Sequence, residues 1–439
     1  MLKIRNKNVK MWNKQLKAAV IMVGICLLTG SLCACGDDSN AVISLEQLSQ
    51  NAGTEAADDG KEANNTAESG ENPEETESGS EVSTEKTTNA SENNMQTQGT
   101  PNGASGQETQ ETEAAEESVE DVPEEISITI SAAGDVTLGN YPEQGYYLSL
   151  PYTYEELQDD SYFFENVYDI FSADDMTLVN LEGVFTNSTN RREGQTYSLS
   201  GKPEYVKALT AGSVETVSMA NNHRLDYHEE GTKDTVAVLE QEGIAYAYDD
   251  IVGIYETKGI RIGFVSVNEV SQGWGVEKYL EQGIAFLQDE GVDLIIACCH
   301  WGVEREYFPE NYQQSLGKKC IDWGADLVIG HHPHVLQGIE EYNGKYIVYS
   351  LGNFCFGANK NPKDKDCMIF QQTFTFVDGV KQEDKDIRVI PCSISSVKER
   401  NDFKPTPATG DEAQRILDRI NEFSAGFGLT FDAEGRRVE

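Results

Sequence analysis

Two stretches repeat one layout, and that layout does most to fix the fold class. In each, a helical periodicity closes on a glycine, and an Asp-Leu pair then opens an apolar run that ends in histidine. The stretches are Gly291-Val-Asp-Leu-Ile-Ile-Ala-Cys-Cys-His300 and Gly324-Ala-Asp-Leu-Val-Ile-Gly-His-His-Pro-His334. A continuous apolar strand lacks the polar alternation of a half-wet sheet and has to be covered on both faces. Helices predicted over Val276 to Glu290 and Asn311 to Trp323 supply that cover, so the chain reads as α/β. Ile126 to Ala133, Met176 to Leu181, Glu215 to Ala220 and Lys258 to Val267 are also strand-like, with helices expected at Pro203 to Ala211 and Gly231 to Glu242. After Val335 the pattern turns to short alternating strands, which adds antiparallel pairs. The expectation is a mixed α/β sandwich with its chemistry gathered in the loops of one edge.

Three of these strands run straight into side chains that carry chemistry. The first ends in Gly134-Asp135, the second in Glu182-Gly183 and the third in Asn221-Asn222-His223, with Asp226 in the turn that follows. Singly, each has a structural reading: a capping glutamate, a turn asparagine, a satisfied histidine. Recurrence at successive strand ends points instead to one site. All six histidines also fall between positions 223 and 334 of a 439-residue chain. Asp135, Glu182, Asn222, His300, His332 and His334 are therefore the candidate metal ligands. Carboxylate, amide and imidazole together suit divalent Mn, Zn or Fe, and a bridging carboxylate lets two ions sit about 3.5 to 4 Å apart. His223 is the candidate general acid and Asp226 the group that orients it. His331 and His228 are read as solvent-facing, or as supports behind the ligands.

Charge and composition describe the rest of the chain. Lys3, Arg5, Lys7, Lys10, Lys14 and Lys17 precede the apolar run Ala18 to Leu28, and Leu32-Cys33-Ala34-Cys35 follows. The apolar run is short for a membrane span. The order resembles a bacterial lipoprotein leader over residues 1–35, with Cys35 the acylated residue; an uncleaved anchor helix or ordinary secretion is the alternative. Either way the folded part is expected outside the cytoplasm, and with the lipid anchor on the extracellular face of the cell membrane. Residues 36–125 are rich in Glu, Thr, Ser, Asn and Gly and read as a disordered acidic linker. From Asp37 to Glu125 there are 24 acidic residues against Lys61 and Lys86, about half of the net charge of −41. As an ideal coil such a tether would span roughly 50 Å. No basic stripe with interleaved aromatics exists, which excludes nucleic acid as a partner. The cysteines after position 35 have neither disulfide-scaffold nor zinc-ribbon spacing, and Cys298 and Cys299 read as buried thiols without an assigned role.

In order, Gly134-Asp135, Asn180-Leu181-Glu182, Asn221-Asn222-His223, His300-Trp301-Gly302, Gly330-x-His332-Pro333-His334 and Tyr349-Ser350-Leu351-Gly352-Asn353-Phe354 resemble the CapA family of bacterial capsule-synthesis proteins. That family is associated with poly-γ-glutamate and related to the calcineurin-like metallophosphoesterases. The resemblance implies a four-layer α/β-β-α metallophosphatase-like domain over 126–396, with a C-terminal helical extension over 397–439. It also implies that Asp135 and His334 serve one metal, that Glu182 bridges, that Asn222, His300 and His332 complete a second, and that His223 is the catalytic acid. One departure stands out: metallophosphoesterases usually open with Asp-x-His, and here the triplet is Asp135-Val136-Thr137. The implied activity is metal-dependent hydrolysis of a phosphoester or an anionic polymer, beside membrane-bound synthesis proteins; the alternative is a non-catalytic assembly or polymer-binding component.

Overall fold

A computed structural model describes residues 40–45, 123–383 and 385–438. The leader, Cys35 and most of the acidic segment lie outside the described residues. Two large mixed sheets dominate. The seven-stranded sheet has the order Asn40–Ser44, Ile251–Thr257, Ile260–Asn268, Leu294–His300, Leu327–His331, Lys345–Val348 and Ile339–Tyr342. Its four strands from Ile260–Asn268 to Lys345–Val348 run parallel, as the repeated helix-to-strand layout requires. In the nine-stranded sheet, Glu125–Thr137 lies between the parallel strand Met176–Leu181 and the antiparallel strand Asp366–Val377, and Asn353–Phe356 also pairs with its end.

Side-chain parity explains the layering. Along Leu294–His300, the even residues Leu294, Ile296 and Cys298 enter the core between the sheets, where they meet Ile128, Ile130 and Leu178. The odd residues Ile295, Ala297 and Cys299 face outward against Leu280, Ile284, Leu287 and Leu316 of the helices Val276–Asp289 and Asn311–Trp323. The other sheet is covered in the same way by Leu239 of the helix His228–Glu242 and by the aromatic residues Phe163, Phe164 and Tyr205. The result is the α/β-β-α sandwich, with apolar strands buried on both faces.

Two differences from the sequence reading concern the ends. Asn40–Ser44, placed in the disordered linker, is an edge strand paired antiparallel with Ile251–Thr257, Asn40 opposite Tyr255 and Ser44 opposite Ile251. Val42, Ile43 and Leu45 pack on the two outer cores, so this short apolar island is held by burial. The segment 397–439 is part of the sandwich rather than an appendage: Ile416, Leu417, Ile420 and Phe423 of the helix Gly410–Ser424 join the core between the sheets, and Thr406–Pro407 adds a short strand to the nine-stranded sheet. Cys298, Cys299, Cys320, Cys355, Cys367 and Cys392 are buried free thiols. No helix among the described residues is long and apolar enough to cross a membrane.

Candidate metal centre

The strand Glu125–Thr137 delivers its carboxylate through a slip in register. Ala132 lies opposite Leu178, but Asp135 lies opposite Asn180, so the first strand carries one extra residue between these pairs. Before the slip even residues face the core between the sheets; after it Val136 faces the outer helices. Asp135 is thereby turned inward, where an unbroken strand would have aimed it at the helix layer. Gly134 permits the turn, since a Cβ there would stand 1.9 Å from the Gly352 carbonyl oxygen, the same oxygen that accepts the Asp135 backbone N–H at 3.0 Å.

Parity brings further groups to the same gap. Asn180, the inward residue before Glu182, donates from Nδ2 to Asp135 Oδ1 at 2.8 Å and lies 3.4 Å from His300 Nδ1. His300 Nε2 donates to Asn222 Oδ1 at 2.8 Å. The His300 and His332 ring centroids are 4.8 Å apart, and those of His332 and His334 5.6 Å. His334 Nδ1 lies 3.1 Å from Asp135 Oδ2 and its Nε2 3.8 Å from Glu182 Oε1. His223 Nε2 reaches the same Glu182 oxygen at 3.8 Å, while its Nδ1 donates to Asp226 Oδ2 at 2.6 Å. Asp226 is fully buried and also accepts the Leu199 backbone N–H at 2.7 Å.

The histidine loop is held in a strained shape. His332 and His334 have φ of 97° and 57°, a region that side chains with a Cβ enter at a cost. Three hydrogen bonds hold the loop there: Trp301 N–H to the His331 carbonyl at 3.1 Å, Arg305 N–H to the Pro333 carbonyl at 2.8 Å, and Asn353 Nδ2 to the His334 carbonyl at 3.2 Å. Asn353 Oδ1 also sits 3.0 Å from His334 Nδ1, fixing the ring.

Among the described residues, Asp135, Glu182 and His334 are grouped with one ligand atom each, all within 4.8 Å of one another. The remaining proposed ligands form the row Asn222, His300, His332 beside them. Both Glu182 oxygens and His332 Nδ1 are buried without a hydrogen-bond partner, which is costly unless a cation occupies the gap. The donor set therefore fits a divalent ion. Thr137, in the position where the resemblance expects histidine, has a buried hydroxyl with no partner and adds no imidazole.

Electrostatics follow from burial and from the opposed charges. Burial works against the Asp135 carboxylate, but hydrogen bonds and charge from His331 and His334 outweigh it and hold Asp135 well below its ordinary value. Burial, with the Asp135 charge, raises Glu182 to about 7 against the pull of His334 and His223. Burial also opposes charge on His334, yet Glu182 and Asp135 raise it to about 10. His332 falls to about 4 through burial and the neighbouring His334 charge, and His300 lies well below its usual value through burial and the neighbouring His332. In His223, burial is overcome by Asp226 and Glu182, which raise it.

His331 requires a correction. It is 1 % exposed, with Nδ1 3.5 Å from Asp135 Oδ1, and it is not solvent-facing. Leu327 and Ile329 face the core between the sheets, so an alternating strand sends His331 the same way. That parity signal is present in the sequence, as it is for Asn180. His228 is exposed at the start of its helix.

Sheets packed face to face, helices outside and a carboxylate–histidine cluster at the sheet edge define a metallophosphatase-like α/β-β-α protein. Residues 129–358 match the family described as bacterial capsule synthesis protein PGA_cap, and the chain belongs to that family. It is 31% identical over 249 residues to the PGA biosynthesis protein CapA of Bacillus subtilis, a match covering 52% of this chain and 63% of that protein. It is 26% identical over 273 residues to the capsule biosynthesis protein CapA of Bacillus anthracis, covering 56% of this chain and 64% of that one. The match thus spans a little under two thirds of these relatives. A hypothetical protein from Thermus thermophilus of known structure aligns over 60% of this chain and 98% of its own, with 17% identity and a TM-score of 0.38.

Proposed function

We propose that this chain is a metal-dependent hydrolase of the metallophosphoesterase type, lipid-anchored through Cys35 on the extracellular face of the bacterial membrane. Its role is the synthesis or processing of capsule or poly-γ-glutamate, beside membrane-bound synthesis proteins. The observation that carries the reading is the group of buried Asp135 and Glu182 with half-buried His334, next to the His223–Asp226 pair. Asp135, Glu182 and His334, with Asn222, His300 and His332 alongside, would hold divalent Mn, Zn or Fe, which supplies Lewis acidity and a more acidic bound water. Asp226 holds the His223 ring through Nδ1, leaving Nε2 directed at the Glu182 oxygen. Asp226 and Glu182 raise its pKa against burial, which favours the protonated ring that would serve a leaving-group oxygen.

The test is turnover of a phosphoester panel and of a glutamate polymer by Mn²⁺- or Zn²⁺-loaded protein. His223→Ala is expected to lower kcat/KM by about 10² to 10⁴ with bound metal unchanged. Wild-type protein that holds metal and turns over nothing in the panel would remove the enzyme reading. A second reading, a non-catalytic component that grips the polymer through its metal, draws on Thr137 and its reduced ligand set. Metal-dependent polymer binding without turnover is its signature.

A further inference from the structure

A second feature of the same edge lies outside the metal centre. An open cleft of about 820 Å³ runs between the loop 361–366, the loop 393–398 and the start of the helix Gly410–Ser424. Its floor is an ion-pair cluster in which Arg415 grips Asp366 with both terminal nitrogens, at 2.6 and 2.7 Å. Arg419 binds Asp364 at 2.8 Å and also contacts Asp366. These charges are spent on one another. Lys363, Lys365 and Lys398 also line the cleft, against Glu412 as the one remaining acid in its lining.

The lysines are not neutralised. Among the described residues Lys365 donates only to the carbonyl oxygens of Lys398 and Arg400, at 2.7 and 3.0 Å, and so pins the loop without a carboxylate partner. Lys363 and Lys398 are exposed, and among the described residues neither ammonium has a hydrogen-bond or ion-pair partner. In a chain of net charge −41, a cleft with a local cationic excess concentrates an anionic ligand against the overall field.

The cleft also adjoins the metal centre. A Cβ on Gly352 would lie 3.0 Å from the Asp366 carbonyl oxygen, and the Gly352 carbonyl accepts the Asp135 N–H. One backbone segment thus touches both the cleft wall and the buried carboxylate. On the other side Tyr307 lines the cleft and donates to Asp364 at 3.1 Å, in the loop whose Arg305 N–H holds Pro333.

We propose that this cleft is a binding subsite for an extended polycarboxylate chain, holding the polymer by Lys363, Lys365 and Lys398 while a neighbouring stretch reaches the metal centre. The inference rests on the anionic-polymer reading above. Carboxylate fits better than phosphate because both guanidinium forks, the groups that would recognise phosphate bidentately, are already closed on Asp364 and Asp366. What the ligand meets is lysine point charge along an open trough, beside Val397, Pro407 and Ala408, which suit the methylenes between carboxylates.

The experiment is fluorescence anisotropy of a labelled glutamate oligomer on the full chain, with EDTA present so that the metal centre does not contribute. Wild-type protein is expected to bind, more weakly as salt rises. Lys363→Glu with Lys398→Glu is expected to weaken binding at least about tenfold with an unchanged melting temperature, since both residues are exposed. Lys278→Glu, at an exposed lysine outside the cleft lining, is expected to leave oligomer affinity within about twofold. The inference is overturned if the oligomer does not bind, if the double variant binds as wild type, or if Lys278→Glu weakens binding as much as the double variant does. It is also overturned if linear polyphosphate displaces the oligomer at far lower concentration than free glutamate polymer does. A failed turnover assay with oligomer binding intact and lost in the double variant would remove the enzyme reading and support the cleft.

Discussion

Asp135 and His334 set the chemistry of the centre through one proton. His334 is raised to about 10 because Glu182 and Asp135 outweigh its burial, so the metal-free fold carries the imidazole charged at neutral pH. A ring with a raised pKa contributes stability that is complete below its ordinary 6.5 and is lost as pH climbs through about 10. A divalent ion needs the neutral lone pair and must expel that proton. Metal uptake is therefore expected to release at least one proton, and affinity to rise about tenfold per pH unit while a single proton is displaced. Calorimetric titration in two buffers of different ionisation enthalpy measures the release directly. Affinity that stays constant from pH 6 to pH 9, with no proton released, would mean that His334 is not a ligand. The same residues show how much of the site could be read in advance. Asp135, Glu182, His223, His300, His332 and His334 were legible as candidates because each sits at or just past the end of an apolar run or in the histidine-rich turn. The inward placement of His331 followed from alternation but was masked by its neighbours in the same histidine run.

At the level of elements, the centre depends on the register slip in Glu125–Thr137, and no residue pattern announces it. Gly134 followed by Asp135 is visible in the sequence, but whether the strand continues in phase or gains a residue is decided by its partners, Asn180 on one side and Gly352 with Asn353 on the other. The long apolar strands and their helices were legible, because a run such as Leu294–His300 is apolar at every position before its histidine and its flanking helices carry one apolar side; the strands Asn40–Ser44, Ala245–Ala247 and Ile251–Thr257 were not. Gly134→Ala tests the slip. The new Cβ would meet backbone at 1.9 Å, which no side-chain rotation relieves, so the two strands must part and Asp135 must move. The expected cost is about 2 to 4 kcal/mol in urea unfolding, with loss of bound metal. Gly275→Ala, with nothing within 4 Å of its added Cβ, is expected to stay within about 0.5 kcal/mol of wild type. Equal effects at the two positions would contradict the account.

At the scale of the whole molecule, the edge strand Asn40–Ser44 changes what a tether would do. A disordered linker over residues 36–125 would stand the domain roughly 50 Å from its anchor. With Asn40 fixed opposite Tyr255, five Cα steps separate it from Cys35, a reach of at most about 18 Å. Direction follows from topology. Ile251–Thr257 runs antiparallel to Ile260–Asn268, with Thr257 opposite Ile260, and Asn268 lies opposite His300 at the other end. Asn40 therefore enters at the end of the sheet remote from the histidines. An anchor at Cys35 would hold that end against the bilayer and point the metal centre and the lysine cleft outward, toward a polymer leaving the surface. The distance between the two ends is roughly 25 to 30 Å along the strand. Energy transfer to a headgroup-labelled lipid measures it, with a donor placed at Glu256→Cys near the entry point or at Val303→Cys beside the site, both exposed. The anchored full chain is expected to show strong transfer from position 256 and weak transfer from position 303. Weakening the edge strand with Val42→Asp and Ile43→Asp is expected to shrink that difference. Equal transfer from both positions in the unaltered chain would show that the domain hangs freely, and that the strand does not orient it.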